Sequence, residues 1–371
     1  MFLALRELRH SRLRYGLIGA ILALVAWLVF LLSGLANGLA TDNASAMQNM
    51  NTDYLAFQSG SRVLLHRSLL PMTTVDAVRQ VAGVRDAAPL GQFTVTVERA
   101  GSNDQIDATV LAIDPASFLA PEIIQGNGLT SGPANGVVIN RTAQREGVRL
   151  GDTLKVLPSG QELTVVGFTE GQTYSHLPVI FMSIPQWQAL RFPTTGAEGI
   201  PTNPISAVAI KMDNDAAATT VAQRVSGVEV ASRETALQNL PGYKEETGSV
   251  TMIQAFLFII AAFIMAAFFY VLTLQKSNQF GVLKALGAGT RFLARDLVGQ
   301  VLVLTALGIV LGALLSYGVA AIIPAAVPFA LDTKLVVLYG GVLLLVALVG
   351  TLLSLFQIAK VDALVAIGRV D

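Results

Sequence analysis

Cysteine is absent from all 371 residues, which removes disulfides, thiolate metal sites and cysteine nucleophiles. That absence leaves the compartment open. The dipeptide Gly-Lys never occurs, so there is no G-x-x-x-x-G-K-[ST] loop to cradle phosphates and the chain does not itself hydrolyse nucleotide. H-E-x-x-H and G-x-S-x-G are missing too, and the only three histidines, His10, His66 and His176, are scattered. These gaps argue against a metalloenzyme or a serine hydrolase. His176, in "YSHLP", reads as a surface histidine at a strand end rather than a ligand.

Charge is scarce as well. Only 13% of residues are charged against 53% apolar, far from a soluble average. The apolar excess is gathered into four runs without a charged residue: 26 residues from Gly16 to Thr41, 29 from Thr247 to Gln275, 35 from Leu297 to Leu331 and 25 from Leu335 to Ala359. Each exceeds the roughly 20 helical residues needed to cross about 30 Å of hydrocarbon. Four transmembrane helices are therefore expected. A cleaved secretory signal is the competing reading of the first run, but its apolar part is about twice the usual length.

The few charges present set an orientation. Arg6, Arg9, Arg12 and Arg14 precede the first run, Lys276, Lys284, Arg291 and Arg295 lie between the second and third, and Lys360 and Arg369 follow the fourth. By the positive-inside rule these segments are cytoplasmic. Residues 42–246 then lie outside, with 20 acidic against 14 basic residues, a net acidic region hidden inside a chain of zero net charge. Topology accounts for the basic residues, and nucleic-acid binding has no support.

The expected organisation is an amphipathic leader at 1–14, spans at 15–41, 247–275, 297–323 and 335–359, an outer domain at 42–246, an inner loop at 276–296, an external turn at 324–334 and an inner tail at 360–371. The leader carries Phe2, Leu5 and Leu8 at a spacing of three among arginines, as in a helix lying along a membrane surface; a plain topogenic segment reads equally well. Pro324 and Pro328 are expected to end the third helix. The fold class is an α-helical membrane protein with four transmembrane helices and an inserted α/β (α+β) extracytoplasmic domain.

Within that domain "TDYLAFQSGS" and "GQFTVTVERAG" alternate as half-buried strands do. "TTVDAVRQVAGV" predicts a Thr-capped helix burying Val75, Val78 and Val81. "GVVIN" predicts a strand and the residues after it a short helix, while "PSGQ" at 158–161 is the turn of a hairpin joining "TLKVL" to "LTVVGF". "PTNPISAVAIKM" and "NDAAATTVAQRVSGV" add another strand and helix.

The apolar runs contain no charge, whereas ion-coupled carriers keep ionisable groups at mid-membrane. The driving energy must come from elsewhere. "FGVLKALGAGTRFL", Phe280 to Leu293, predicts a helix broken at Gly287 and Gly289 and resumed at Thr290, with Val282, Leu283 and Leu286 on one apolar face. Such an element can dock in a groove of a soluble partner. A plain connecting hairpin is the simpler alternative, but it needs no apolar face in water.

Nearly the whole chain resembles the permeases of type VII ABC exporters and mechanotransmitters, the MacB, DevC and FtsX-like group. The residues that carry the resemblance are the leader "LALRELRHSRLR", one span, a large outer domain, three clustered spans, the outer pattern "GVVINRTAQREGVRLGDTLKV…ELTVVGF…PVIFMSIPQWQAL" and the loop "FGVLKALGAGTRFLARDLVGQ". The chain departs from the family where a glutamate often precedes the loop glycine and Gln279 and Phe280 stand here. The resemblance, strongest with the haem-exporting branch, implies a homodimer bound to two ATP-binding cassette subunits that hold ATP and Mg. It implies no catalysis by this chain, no covalently bound cofactor, and coupling through Phe280, Val282, Leu283, Leu286 and Gly287. Haem or a similar amphiphile, taken laterally from the outer leaflet, is the substrate it implies. The alternative within the family is an FtsX-like or LolC-like mechanotransmitter or lipoprotein-releasing permease.

Haem iron accepts His, Met, Tyr or carboxylate ligands. With haem as the implied substrate, "NLPGYKEETGSVTMIQAF" offers Tyr243, Glu245, Glu246 and Met252 where the second span meets the outer leaflet, with Glu245 or Glu246 facing the iron and Lys244 pairing a propionate. Met47, Met50 and Tyr54 are secondary candidates. The plainer readings are a solvated stalk for "KEE" and core packing for the methionines.

Overall fold

The computed structural model describes residues 12–102, 104–193, 199–323 and 327–359. Residues 1–11 of the expected leader, Pro324 and the tail at 360–371 lie outside them. The chain divides into two compact units, one of residues 1–39 and 248–371, the other of residues 40–247.

Helix α1, Arg12–Asn49, carries the first apolar run. It does not stop at Thr41. "TDNASAMQN" continues the helix because Ala44, Ala46 and Met47 are buried in the core of the outer unit, a tertiary reason that outweighs the modest helix propensity of Asp, Asn and Ser.

The outer unit begins with a β-α-β-β-α-β frame. Its elements in chain order are β1 (Tyr54–Gln58), α2 (Thr73–Arg79) and β2 (Val84–Arg99), and, after an insertion, β8, α4 and β9 described below. The insertion holds β3 (Gln105–Ile113), β4 (Gly136–Asn140), β5 (Thr153–Leu157), β6 (Glu162–Thr169), β7 (Leu177–Ser183) and helix α3 (Ile184–Arg191). The frame then resumes with β8 (Ala207–Met212), α4 (Ala216–Arg224), β9 (Val228–Ser232) and a short α5 (Arg233–Gln238).

The frame strands run β9-β1-β8-β2, every neighbour antiparallel, the order of a ferredoxin-like sheet. Val75 and Val78 of α2 and Val221 of α4 bury the helix faces in its core. The Thr cap expected for α2 is not made: Met72 is the N-cap and Thr74 is buried in the first turn. A two-residue strand at Leu70–Pro71, paired with 204–205, runs straight into the helix and puts Met72 at the cap. Helix α3 has a full capping box, with Ser183 accepting from the Gln186 backbone N–H. It seats Trp187 fully buried.

Strand β2 outruns the frame. Its second half pairs with β3 and, over Thr96–Arg99, with β5. Strands β3-β7-β4-β6-β5 continue the pairing back to β2, so six strands close a ring. Closure leaves those strands no free edge, and Val97, Val110, Ile139, Val156, Phe168 and Ile180 fill the interior. Three strands escape the sequence pattern, β3, β7 and β9. The second half of β3 is buried at every position, so the alternation that reveals a half-exposed strand is missing.

The other unit contains the membrane-spanning lengths of α1, of α6 (Tyr243–Gln275), of α8 (Thr290–Ala320) and of α9 (Thr333–Ala359), with the short α7 (Ser277–Ala285) between α6 and α8. Four helices among the described residues are long and apolar enough to cross a membrane. Leu293, Leu297, Val301 and Leu304 line one face of α8 and Leu257, Ala261, Met265 and Phe269 one face of α6, the helical period expected of packed spans. Phe256 and Phe263, off that face, are 59% and 74% exposed, as suits lipid. Gly308 and Gly312 let α8 approach α1 closely: an added Cβ would meet Leu22 Cβ at 2.9 Å or the Trp27 backbone N at 2.7 Å. Small residues at such a contact are the rule in membranes, where close van der Waals approach replaces the hydrophobic effect.

Candidate functional site

Three chain segments meet at the foot of the outer unit: Thr41–Asn49 of α1, the first turn of α6, and a tight hairpin in which Thr173 and Tyr174 pair with Leu177 and Pro178. The two loop residues of that hairpin, Ser175 and His176, have φ of 52° and 62°. A two-residue hairpin with both residues left-handed matches strand twist, but each non-glycine residue there costs about 1–2 kcal/mol. The hairpin is anchored all the same. The Ser175 backbone N–H donates to the Asn43 carbonyl at 2.7 Å, and that of Thr173 to Ser45 Oγ at 2.8 Å.

The anchoring points His176 between two carboxylates. Nδ1 lies 3.2 Å from Asp42 Oδ2 and Nε2 lies 3.1 Å from Glu246 Oε1. The second oxygen of Glu246 accepts from Asn43 Nδ2 at 2.8 Å. Partial burial alone would depress the imidazolium, but the hydrogen bonds and negative charge of Glu246 and Asp42 prevail and raise His176 above its ordinary value. His176 does end a strand at the surface, as its sequence context suggests, yet it holds two acids together. Those partners lie 134 and 70 positions away. No local signal could have found them.

The other residues singled out above are distributed differently. Lys244 and Glu245 are exposed on α6, and Met252 is 62% exposed on the same helix. Tyr243 is buried, its hydroxyl accepting from Gln48 Nε2 at 3.3 Å, and Met47 and Met50 belong to the same core cluster. Met50 also lines a cavity of about 410 Å³ together with Leu111, Phe181, Glu122 and Glu170. Tyr54 donates to Asp215 at 2.8 Å, away from this group.

On α7 the expected apolar face divides. Leu283 packs against the core of the membrane unit, while Val282 and Leu286 are 52% and 80% exposed. Phe280 falls in the helix, but its side chain is outside the described residues. Gly287 has φ +91° with open space around it, so it is required by backbone conformation rather than crowding. Lys276, expected as a topogenic charge of the cytoplasmic loop, is 2% exposed. It caps the joint between α6 and α7, and its Nζ donates to Gln300 Oε1 of α8 at 2.6 Å. The uncharged runs stop one residue short of it, which is why their composition does not reveal a buried cation.

Residues 18–228 match the MacB-like periplasmic core domain and residues 251–363 the FtsX-like permease C-terminal family. The first of these alone covers more than half of the chain. The chain belongs to the MacB/FtsX-like family of ABC transporter permeases. It is 28% identical over 368 residues to a Staphylococcus epidermidis protein bearing the name of a hemin transport system permease, HrtB, covering 99% of both chains. A Staphylococcus haemolyticus protein of the same name is 28% identical over 371 residues, with full coverage of both. An uncharacterized ABC transporter permease of Mycobacterium tuberculosis is 25% identical over 380 residues, covering 99% of each. As a permease of this family the chain is the non-catalytic, multi-pass membrane component of a transporter whose ATPase is a separate subunit.

Proposed function

We propose that this permease exports haem or a similar amphiphile from the outer leaflet of a bacterial cell membrane. It works as a homodimer with two ATP-binding cassette subunits, both termini and α7 on the cytoplasmic side and residues 42–246 outside. The observation that carries the reading is the pair of carboxylates in the first turn of α6, Glu245 and Glu246, at the head of a helix with no further charge before Lys276. Full-length similarity, at 28% identity, to proteins with a hemin-transport name supports the substrate class. Glu245, exposed and without a hydrogen-bond or ion-pair partner among the described residues, is the first iron ligand in this reading. Glu246 would have to leave Asn43 and His176 to act as a second. A spacing of seven puts Met252 on the same face of the helix as Glu245, and Lys244 can pair a propionate. The exposed Val282 and Leu286 dock the ATPase, which binds ATP and Mg.

The test is haem titration of the permease purified with its partner ATPase. A Soret shift that weakens in Glu245→Ala and disappears in the Glu245→Ala, Glu246→Ala double variant is expected. No shift, or one indifferent to all these substitutions, removes the haem site and leaves the mechanotransmitter or lipoprotein-releasing activity.

A further inference from the structure

Lys276 sits at the joint through which any movement of α7 must pass. Its backbone N–H still bonds the carbonyls of Leu272 and Thr273 at the end of α6, so the ammonium lies at a helix C-terminus, where a cation is favoured. Burial at 2% exposure is costly for an ammonium unless its donors are met. One is met by Gln300 Oε1 at 2.6 Å, and the amide of Gln300, itself 1% exposed, donates in turn to Asp296 Oδ2 at 2.8 Å. On the α1 side the Lys276 Nζ lies 5.8 Å from the centre of the Tyr15 ring, which is buried too, within the range of a cation–π contact. A single side chain thus touches α1 and α8 from the junction of α6 and α7. A connecting hairpin with no mechanical task needs no buried cation. A flexible joint would let α7 tilt without moving the spans.

The packing above the joint extends the same connection. Gly308 and Gly312 bring α8 against the α1 backbone, so a displacement delivered to Gln300 reaches both helices. We infer that Lys276 is a positioning residue that locks the α6–α7 joint to Gln300 and Tyr15, so that α7, α8 and α1 move as one lever when the ATPase engages α7. The lock has a direction. Force on the exposed side of α7 is carried into α8 and α1 and is not lost in bending between α7 and α8.

Since the chain has no cysteine, spin labels can be placed at Gln279→Cys on α7 and Leu311→Cys on α8 of the full permease bound to its ATPase. The 279–311 distance is measured by pulsed electron paramagnetic resonance with and without trapping by ATP and vanadate. In the parent the distance distribution is expected to stay unchanged on trapping. In Lys276→Met, which fills the same space without charge and for that reason is compatible with folding, it is expected to shift and broaden. Lys276→Arg, which keeps a donor and a cation, restores the parent behaviour. Gln300→Met is the second variant, should Lys276→Met fail to assemble with the ATPase, and is expected to give the same shift. A distribution in Lys276→Met or Gln300→Met that stays as narrow and unmoved as the parent's overturns the lock, as does a parent distance that shifts on trapping. Neither result depends on what the permease carries.

Discussion

Glu246 and His176 face each other at 3.1 Å, and Asp42 faces the other ring nitrogen at 3.2 Å. A neutral imidazole has a single N–H and can satisfy only one of these acids; the imidazolium satisfies both. His176 thus joins Asp42 of α1 to the first turn of α6, and it meets both acids when its ring carries two protons.

The sign of the pH effect follows. The pKa of His176 is raised in the folded protein, so its stabilisation is fully present below the unfolded value near 6.5 and is lost as pH rises through the folded value. The side chain is 38% exposed, and solvent screening holds the contribution to about 1 kcal/mol or less. Thermal unfolding of the parent and of His176→Ala should differ most below the unfolded value near 6.5 and converge as pH rises through the raised folded value. A gap that widens with rising pH would contradict the assignment.

Gly312 offers a test of the α1–α8 contact. A Cβ there would meet the Trp27 backbone N at 2.7 Å and Ala26 Cβ at 2.8 Å, and a helix backbone cannot move aside cheaply. Gly312→Val should cost about 1–3 kcal/mol by overpacking, read as a lower midpoint of unfolding in detergent. Gly299→Ala, where nothing lies within 4 Å, should be tolerated.

The two leucines of α7 should separate docking from folding. Leu286→Glu adds charge to a side chain already 80% exposed; it should leave the unfolding midpoint unchanged and abolish co-purification of the ATPase. Leu283→Ala should do the reverse. It removes the contacts of a half-buried side chain with the core, worth less than the ~2–5 kcal/mol of a fully buried leucine, and should lower the midpoint while the ATPase still binds.

Trp187 anchors the insertion on the frame. It is fully buried, stacks edge-on with Phe192 at 5.5 Å and presses on Gly91. Trp187→Ala should cost about 3–5 kcal/mol, and limited proteolysis should then cut within 91–206 before it cuts the spans.

The four spans, the break of α7 at Gly287 and the hairpin around "PSGQ" were legible in the sequence because each is a local matter. Runs of uncharged residues, a backbone conformation open chiefly to glycine, and alternation between two faces all leave their marks within one continuous stretch of chain. Strand β3 left no such mark, its second half being buried on both faces, and the closing of the ring between β2 and β5 could not be read because that pairing joins residues 55 to 61 positions apart, from Arg99 with Leu154 to Thr96 with Leu157.

The site divides along the same line. The uncharged runs by themselves determined that this is a membrane protein, the missing G-x-x-x-x-G-K-[ST] pattern argued against a nucleotide site of its own, and the paired acids at the head of α6 are visible in "KEE". Tertiary structure alone decided that Glu246 is held by His176 and Asn43 while Glu245 is exposed, that Leu283 packs inward while Leu286 does not, and that Lys276 is a buried strut. The physical reason is common to all three. A side chain's hydrogen-bond partner and its share of solvent are set by which distant segments fold against it, and no property of its immediate neighbours encodes that.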